Sequence, residues 1–281
     1  MPVTLDELVA AARRRVEQAK AAGDSSQLSA RAEQHAPRGL RRSLERALPA
    51  GPAVIAELKK ASPSRGTIRG SFPVARLAVE LEQGGAAALS VLTEEEHFQG
   101  SLANLCEASA ATHLPCLRKD FVVDEFQVLE ARANRADAVL LIAAALSGAE
   151  LKALARRARE LGLDALCEVH DEREAERAAA AECELIGVNS RDLRTFQVDL
   201  GTLERLAPRL PAGALRVAES GLRSGDDLRK LRDLGYQAFL IGETLMRAES
   251  PGEALRRLIA QAKAPPLGAL GVVSWRAGTK D

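Results

Sequence analysis

From residue 53 onward the chain alternates between short apolar runs and longer stretches whose apolar residues recur at helical spacing. The apolar runs fall at Ala53–Leu58, Ala88–Leu92, Cys116–Arg118, Ala138–Ala143, Ala165–Val169, Leu185–Val188, Leu215–Ala218 and Ala238–Ile241. Between and after them lie helical patterns at Val74–Gln83, Leu102–Ala111, Glu125–Ala133, Gly148–Leu161, Glu172–Ala181, Leu200–Leu206, Asp226–Leu234 and Pro251–Lys263. A short apolar run bounded by Gly, Pro or Ser reads as a buried strand. Strands alternating with helices predict a parallel sheet with helices outside it. Eight such units point to an α/β protein of the (β/α)8 kind, the TIM barrel. An open doubly wound sheet is the alternative, weakened because no GxGxxG follows the first strand.

The region before the first strand is helical and reads as an extension of the barrel. Thr4 and Glu7 form a capping box, and Leu5, Leu8, Val9, Ala12 and Val16 share one helical face, predicting a helix from about Leu5 to Ala21. Ala22-Gly23-Asp24-Ser25 stops it. A second helical patch follows, broken near Pro37, with Leu40, Leu44 and Leu48 on one side. The expected organisation is one domain over 1–263, with 1–50 as helical extension and 264–281 as a flexible tail rich in Pro and Gly.

Composition narrows the function classes. The 281 residues are 46% apolar, enough for one large core. Lys plus Arg equals Asp plus Glu at 39 each, so net charge points to neither nucleic acid nor a membrane surface. Aromatics at 3% argue against base-stacking platforms. Cys106, Cys116, Cys167 and Cys183 lack CxxC or metal-ligand spacing and read as small, reduced, buried hydrophobes. The histidines are scattered, so no metal is expected. The first twenty residues carry Asp6, Glu7 and Glu17 and no apolar core, unlike a signal peptide. No run is long enough to span a bilayer. A cytoplasmic monomer is the expectation.

A barrel places its chemistry at the carboxyl ends of its strands. Here those ends carry Glu57 and Lys59, then Thr93 and Glu94, Lys119 and Asp120, Glu168 and His170, Asn189 and Arg191, Glu219-Ser220-Gly221, and Gly242-Glu243; the fourth strand alone ends apolar. Strand alternation puts Glu57 and Lys59 on one face. Opposite charges at the end of a buried strand are costly unless used or paired. Two lysines and three glutamates from four different strands resemble acid/base machinery more than a structural ion-pair ring. Glu94, Glu95, Glu96, Asp120 and Glu243 read as the first residues of solvated loops, and His170 as a structural residue or a base. Phosphate sites in barrels sit after strands seven and eight, where Ser220-Gly221 and Gly242 fall, and Ser62 can add a hydroxyl.

At these residues the chain resembles the indole-3-glycerol-phosphate synthase family of tryptophan biosynthesis. The matching stretches are Ile-Ala-Glu57-Leu-Lys59-Lys-Ala-Ser62-Pro-Ser, Leu-Arg-Lys119-Asp-Phe121, Cys-Glu168-Val-His, Gly-Val-Asn189-Ser-Arg191-Asp-Leu, Ala-Glu219-Ser220-Gly221 and Ile-Gly242, within about residues 5–260. The resemblance implies a barrel with an amino-terminal helical extension over the site. It implies closure of the indole ring of 1-(2-carboxyphenylamino)-1-deoxyribulose 5-phosphate, with loss of carbon dioxide and water and without a cofactor. By motif, Lys119 resembles the acid that protonates the ketone oxygen, and Glu168 the acid/base partner in dehydration. Lys59 resembles the holder of the substrate carboxylate, Glu57 and Glu219 the orienting carboxylates, and Asn189 a positioning amide. Ser62, Ser220, Gly221 and Gly242 resemble the phosphate site, with Arg191 beside them. Phe98, Phe121, Leu140 and Ile142 match the pocket of the aromatic ring. Glu243 stands where some members place a serine beside the phosphate, so its side chain is expected to turn away. A sugar-phosphate isomerase or a non-catalytic barrel is the alternative; the first would not need two lysines, and the second would not keep Lys59, Lys119 and Glu168.

Overall fold

Runs of Val, Ile, Leu and Ala too apolar for an exposed sheet face become strands buried on both sides, the requirement of a parallel barrel. The computed structural model describes residues 3–23, 25–193 and 195–263. Eight parallel strands close into a barrel: β1 (Ala53–Leu58), β2 (Ala88–Leu92), β3 (Cys116–Lys119), β4 (Ala138–Ile142), β5 (Asp164–Val169), β6 (Leu185–Asn189), β7 (Leu215–Glu219) and β8 (Ala238–Ile241). Each pairs with its sequence neighbours, and β1 pairs with β8 to close the ring. Around it run α4 (Val74–Gln83), α5 (Leu102–Ala111), α6 (Glu125–Ala133), α7 (Gly148–Glu160), α8 (Glu172–Ala180), α9 (Gly201–Leu206), α10 (Gly225–Asp233), and the pair α11 (Glu243–Met246) and α12 (Pro251–Lys263). Ser101, Asp124, Ser147, Asp171 and Ser224 cap five of these helices with side-chain oxygens.

The expected strand–helix rhythm is therefore present, with local differences. β4 stops at Ile142 and Ala143–Ala145 turn into a 3-10 helix. The loop after β1 holds a small hairpin, Ala61–Ser62 against Gly66–Thr67, tied back by Ile68 and Arg69 N–H groups to the Lys60 carbonyl. The last unit breaks into two helices because Pro251 starts a new one.

The extension contributes α1 (Leu5–Ala22), α2 (Ser25–Glu33) and α3 (Leu40–Ala47). The expected capping box at Thr4 and Glu7 is formed. α1 buries Leu8, Ala11, Ala12 and Val16 and lies at the carboxyl end of the barrel. From there the chain passes to the opposite end. Arg38 donates to Asp137, fully buried just before β4, from its backbone N–H, Nε and Nη2, and His35 lies 3.2 Å from the same carboxylate. Burial would push Asp137 up, but His35 and Arg38 outweigh it and hold the carboxyl below its usual range.

One expectation is overturned. Cys167 and Cys183 are joined by a disulfide. Cys167 has the opposite parity to Glu168 on β5, so it faces outward, and Cys183 lies just before the neighbouring β6. Residues 16 apart in sequence thus come within 6.4 Å at Cα. Cys106 and Cys116 are free thiols, and burial pushes Cys116 up to about 12. Among the described residues, no helix is long and apolar enough to cross a membrane. The expected tail, 264–281, lies outside the described residues.

Candidate active site

Strand parity sends Glu57, Lys119, Glu168, Asn189 and Glu219 into the barrel from five strands, close to the carboxyl ends of those strands. Lys119 sits at the centre. Its Nζ donates to Glu168 Oε2 at 2.8 Å and to Glu219 Oε2 at 3.0 Å. Beside it, Lys59 Nζ lies 2.6 Å from Glu57 Oε1. The three carboxylates are nearly inaccessible, at 3%, 2% and 1% exposure for Glu57, Glu168 and Glu219. Asn189 uses its Oδ1 to accept the N–H of Arg191 at 3.0 Å.

Two glycines make room for this cluster. A Cβ on Gly187 of β6 would strike Glu219 Oε1, and one on Gly242 would strike Glu57 Oε1. Gly242 therefore shapes the acid cluster as well as the expected phosphate site. Gly187 lies on the inner face of a strand and carries no polar atom on a side chain, which is why sequence reading passed over it.

The buried charges polarise each other in a definite direction. Burial works against a charged Lys119, but Glu168, Glu219 and Glu57 outweigh it and hold the ammonium well above its ordinary value. Burial also opposes a charged Glu168, yet Lys119 and His170 prevail and hold it well below the usual carboxylate range. Glu219 goes the other way. Burial and the nearby Glu168 charge overcome Lys119 and push it up to about 7. The two carboxylates on one lysine are thus unlike, which is how acid and base roles are separated in other sites.

The cluster floors a cavity of about 490 Å³ that every expected site residue lines. One wall is apolar: Phe98, Phe121, Leu140 and Ile142 from the barrel, with Leu5 and Leu8 from α1 closing over them. The sequence placed Leu5 and Leu8 on a helical face without showing what they cover. Glu94 and Asp120, expected to be solvated, are buried at 1% and 6% exposure. Glu94 accepts the N–H groups of Glu96, His97 and Phe98, and Asp120 accepts those of Phe121 and the Thr93 hydroxyl. Arg15 of α1 reaches both, at 3.4 Å and 3.6 Å. These carboxylates brace the loops that carry Phe98 and Phe121.

The opposite end of the cavity is cationic and rich in backbone turns. Ser62, Arg191, Ser220, Gly221 and Gly242 meet there, joined by Arg65 and Arg247, which sequence reading did not single out. Ser220 and Gly221 both adopt left-handed backbone, at φ 68° and 73°. The Ser190 hydroxyl donates to the carbonyls of Glu219 and Ser220 at 3.1 Å each and locks that turn. Glu243 does not turn away from the cavity as expected. Its carboxylate lies 3.0 Å from Arg247 Nε, 3.5 Å from Arg65 Nε and 3.8 Å from Arg191 Nη2. Despite partial burial, Arg247 first and then Arg65 and Lys59 hold it below its ordinary value. Its charge is matched by Arg247 at the end of its own helix and by Arg65 and Arg191 from two other loops, so this end keeps an excess of positive charge.

Among the described residues, no group of three or more His, Cys, Asp or Glu is arranged to hold a metal ion. The floor instead offers ammonium donors and carboxylate acceptors, between an apolar wall and an anion-binding end. That arrangement suits proton transfer on an aromatic, phosphorylated molecule.

Comparison with known proteins points the same way. Residues 5–258 match the family model described as indole-3-glycerol phosphate synthase. The chain is similar to the indole-3-glycerol phosphate synthase of Koribacter versatilis, with 54% identity over 92% of this chain and 100% of that protein. It is similar to the enzyme of the same name from Chromobacterium violaceum, with 53% identity over 73% of this chain and 78% of that one. Among solved structures, KGPDC from Streptococcus mutans superposes with a TM-score of 0.59 at 15% identity, covering 76% of this chain and 98% of that chain. The N-acetylmannosamine-6-phosphate 2-epimerase of Clostridium perfringens gives 0.54 at 18%, covering 68% and 86%. At such identities these two structures speak only for the barrel fold.

Proposed function

The chain belongs to the indole-3-glycerol phosphate synthase family, carboxy-lyases of tryptophan biosynthesis, and on that premise we propose that it closes the indole ring of 1-(2-carboxyphenylamino)-1-deoxy-D-ribulose 5-phosphate by lysine and glutamate acid/base catalysis. The observation that carries the mechanism is Lys119 held between Glu168 and Glu219 at the floor of a half-apolar cavity. The phosphate goes to the end lined by Ser62, Arg191, Ser220, Gly221 and Gly242, where backbone N–H groups and arginines favour an anion. The aromatic ring goes to the wall of Phe98, Phe121, Leu140 and Ile142. Lys59, fixed by Glu57, takes the ring carboxylate.

The ring carbon bearing the carboxylate then attacks the ketone carbon. A carbon–carbon bond forms, the carbonyl electron pair moves to oxygen, and Lys119 protonates that oxygen. A fixed ammonium in a water-poor site meets the developing charge without reorganisation. The bond to the carboxylate breaks next, its electron pair returns to the ring, and carbon dioxide leaves. In the dehydration Lys59 protonates the departing hydroxyl, while Glu168, held ionised, takes the proton whose loss completes the indole. Two protons are given and one is taken, so one proton is drawn from solvent per turnover. Asn189 and Glu219 orient the sugar hydroxyls.

The test is direct. Purified protein mixed with this carboxyphenylamino ketose phosphate should develop indole fluorescence. A flat trace from folded protein, with the ketose phosphate intact, would remove the ring-closure reading.

A further inference from the structure

Behind Glu168, on the side away from Lys119, stands a second cation site that the proposed reaction does not use. His170 Nδ1 is hydrogen-bonded to Glu174 Oε2 on α8 at 3.1 Å, while its Nε2 lies 3.4 Å from Glu168 Oε1, within ion-pair distance but without a hydrogen bond. The His170 backbone N–H also donates to Glu174 Oε2, at 2.8 Å. The ring is largely buried, as is Glu174. The ring thus stands between two carboxylates, hydrogen-bonded to one and within ion-pair distance of the other, and that charge pair favours the imidazolium.

Among the described residues, the neighbouring charged groups are engaged elsewhere. Asp171 next to it caps α8 by accepting the Glu174 N–H at 2.8 Å. Arg177, one turn beyond Glu174, donates to the Leu146 carbonyl. From α7, Glu150 pairs with Arg13 and Arg157 with Glu160. The turn at Ala143–Ala145, packed on α8 and β5, carries no charge. Beyond Glu168, Lys119 pairs with it and, across the lysine, with Glu219, and Glu57 adds its charge to the same lysine. Consistent with this, burial would lower His170, but Glu168 and Glu174 outweigh it and push it up to about 10.

The consequence is an asymmetry between the two carboxylates that share Lys119. Glu168 has a second cation at its other oxygen. The other oxygen of Glu219, Oε1, has no hydrogen-bond partner among the described residues. We propose that His170, anchored by Glu174, is the positioning residue that keeps Glu168 ionised and aimed at Lys119, so that Glu168 and not Glu219 enters the reaction as the base. This rests on the ring-closure reading for its chemistry but not for its charge state.

Two readouts separate those dependencies. Imidazole nitrogen NMR on the labelled full-length chain at about pH 8.5, two units above an ordinary histidine, should find His170 doubly protonated, and Glu174→Gln should return it to the neutral ring. In turnover, His170→Asn and Glu174→Gln should move the acid limb of kcat/KM upward by about one pH unit or more, roughly a tenfold loss on that limb, with KM little changed. Should His170→Asn not fold, Glu174→Gln carries the profile alone. A neutral His170 at that pH in the parent protein overturns the proposal, and so does an acid limb unmoved in the folded variants. A parent protein without turnover would instead remove the ring-closure reading, leaving the NMR result to decide the charge of His170.

Discussion

Replacing Lys119 by methionine removes the charge at the centre of the site while keeping most of the apolar stem. In the proposed reaction this residue is both the proton donor and the positive charge met by the developing alkoxide. A general acid contributes about 10²–10⁴ in rate, and a preorganised donor about 10²–10³. Both effects belong to one group and overlap, so kcat/KM should fall about 10⁴-fold, or about 5 kcal/mol. Stability should respond in a pH-dependent way. The variant leaves Glu168 and Glu219 facing each other in a nearly inaccessible floor. Breaking a buried pair costs about 3–5 kcal/mol when the remaining charge cannot be neutralised. Here it can be, by binding a proton. Without Lys119 the Glu219 carboxyl, already pushed up to about 7 beside the lysine, rises further above the 4.5 of the unfolded chain, while His170 still faces Glu168. Groups raised on folding contribute stability that is full at low pH and lost as pH climbs through the folded values. In the parent, Glu168 is depressed instead, so its contribution holds across neutral pH and fades only in acid. The deficit of Lys119→Met relative to the parent should therefore be small near pH 5 and grow toward pH 8. Steady-state turnover and thermal melts at both pH values measure the two effects. Turnover within tenfold of the parent, or an equal melting deficit at both pH values, would refute the reasoning.

Other residues give separable outcomes. Arg15→Met should raise KM roughly fivefold, about 1 kcal/mol, and leave kcat nearly intact, because Arg15 braces the Phe98 and Phe121 loops through Glu94 and Asp120; a change confined to kcat in steady-state kinetics would contradict this. Glu243→Gln should lower KM for the phosphorylated substrate roughly fivefold at low salt, an advantage that fades as salt rises, because it releases Arg65, Arg191 and Arg247 to the anion; a KM that rises would show that the carboxylate is needed to hold those arginines in place. Gly187→Ala should cost about 1–3 kcal/mol in denaturant unfolding and cut kcat, since the new methyl occupies the place of the Glu219 carboxylate; unchanged stability and rate would mean that Glu219 has room to move.

The barrel and the floor of its site were legible because both follow from short-range rules. Strand length and helical period marked the eight units, and the carboxyl ends of strands are where a barrel gathers polar side chains. Glu57, Lys59, Lys119, Glu168, Asn189 and Glu219 were found in that way, and the family resemblance supplied their proposed roles. What stayed hidden depends on contacts between distant loops. Glu94 and Asp120 read as loop starters, yet nearby N–H groups, the buried Arg118 beside Asp120 and Arg15, far away in the chain, let them be buried. Glu243 read as a repulsive neighbour of phosphate, yet Arg65 and Arg191 from two other loops join Arg247 of its own helix around it. The Cys167–Cys183 disulfide follows no spacing rule, because the pairing comes from the adjacency of β5 and β6. His170 read as a structural residue or a base, and its place between two carboxylates appears only once α8 is folded back against β5.

The most direct measurement of the central claim is product stoichiometry. The ketose phosphate, labelled with carbon-13 in its aromatic carboxylate, would be turned over by purified protein in the presence of a chelator. Indole product and labelled carbon dioxide would be counted together. The account requires one carbon dioxide per indole ring, a rate indifferent to the chelator, and near-complete loss of both products in Lys119→Met. Products in unequal amounts, a rate restored only by a metal, or full yield from Lys119→Met would contradict it.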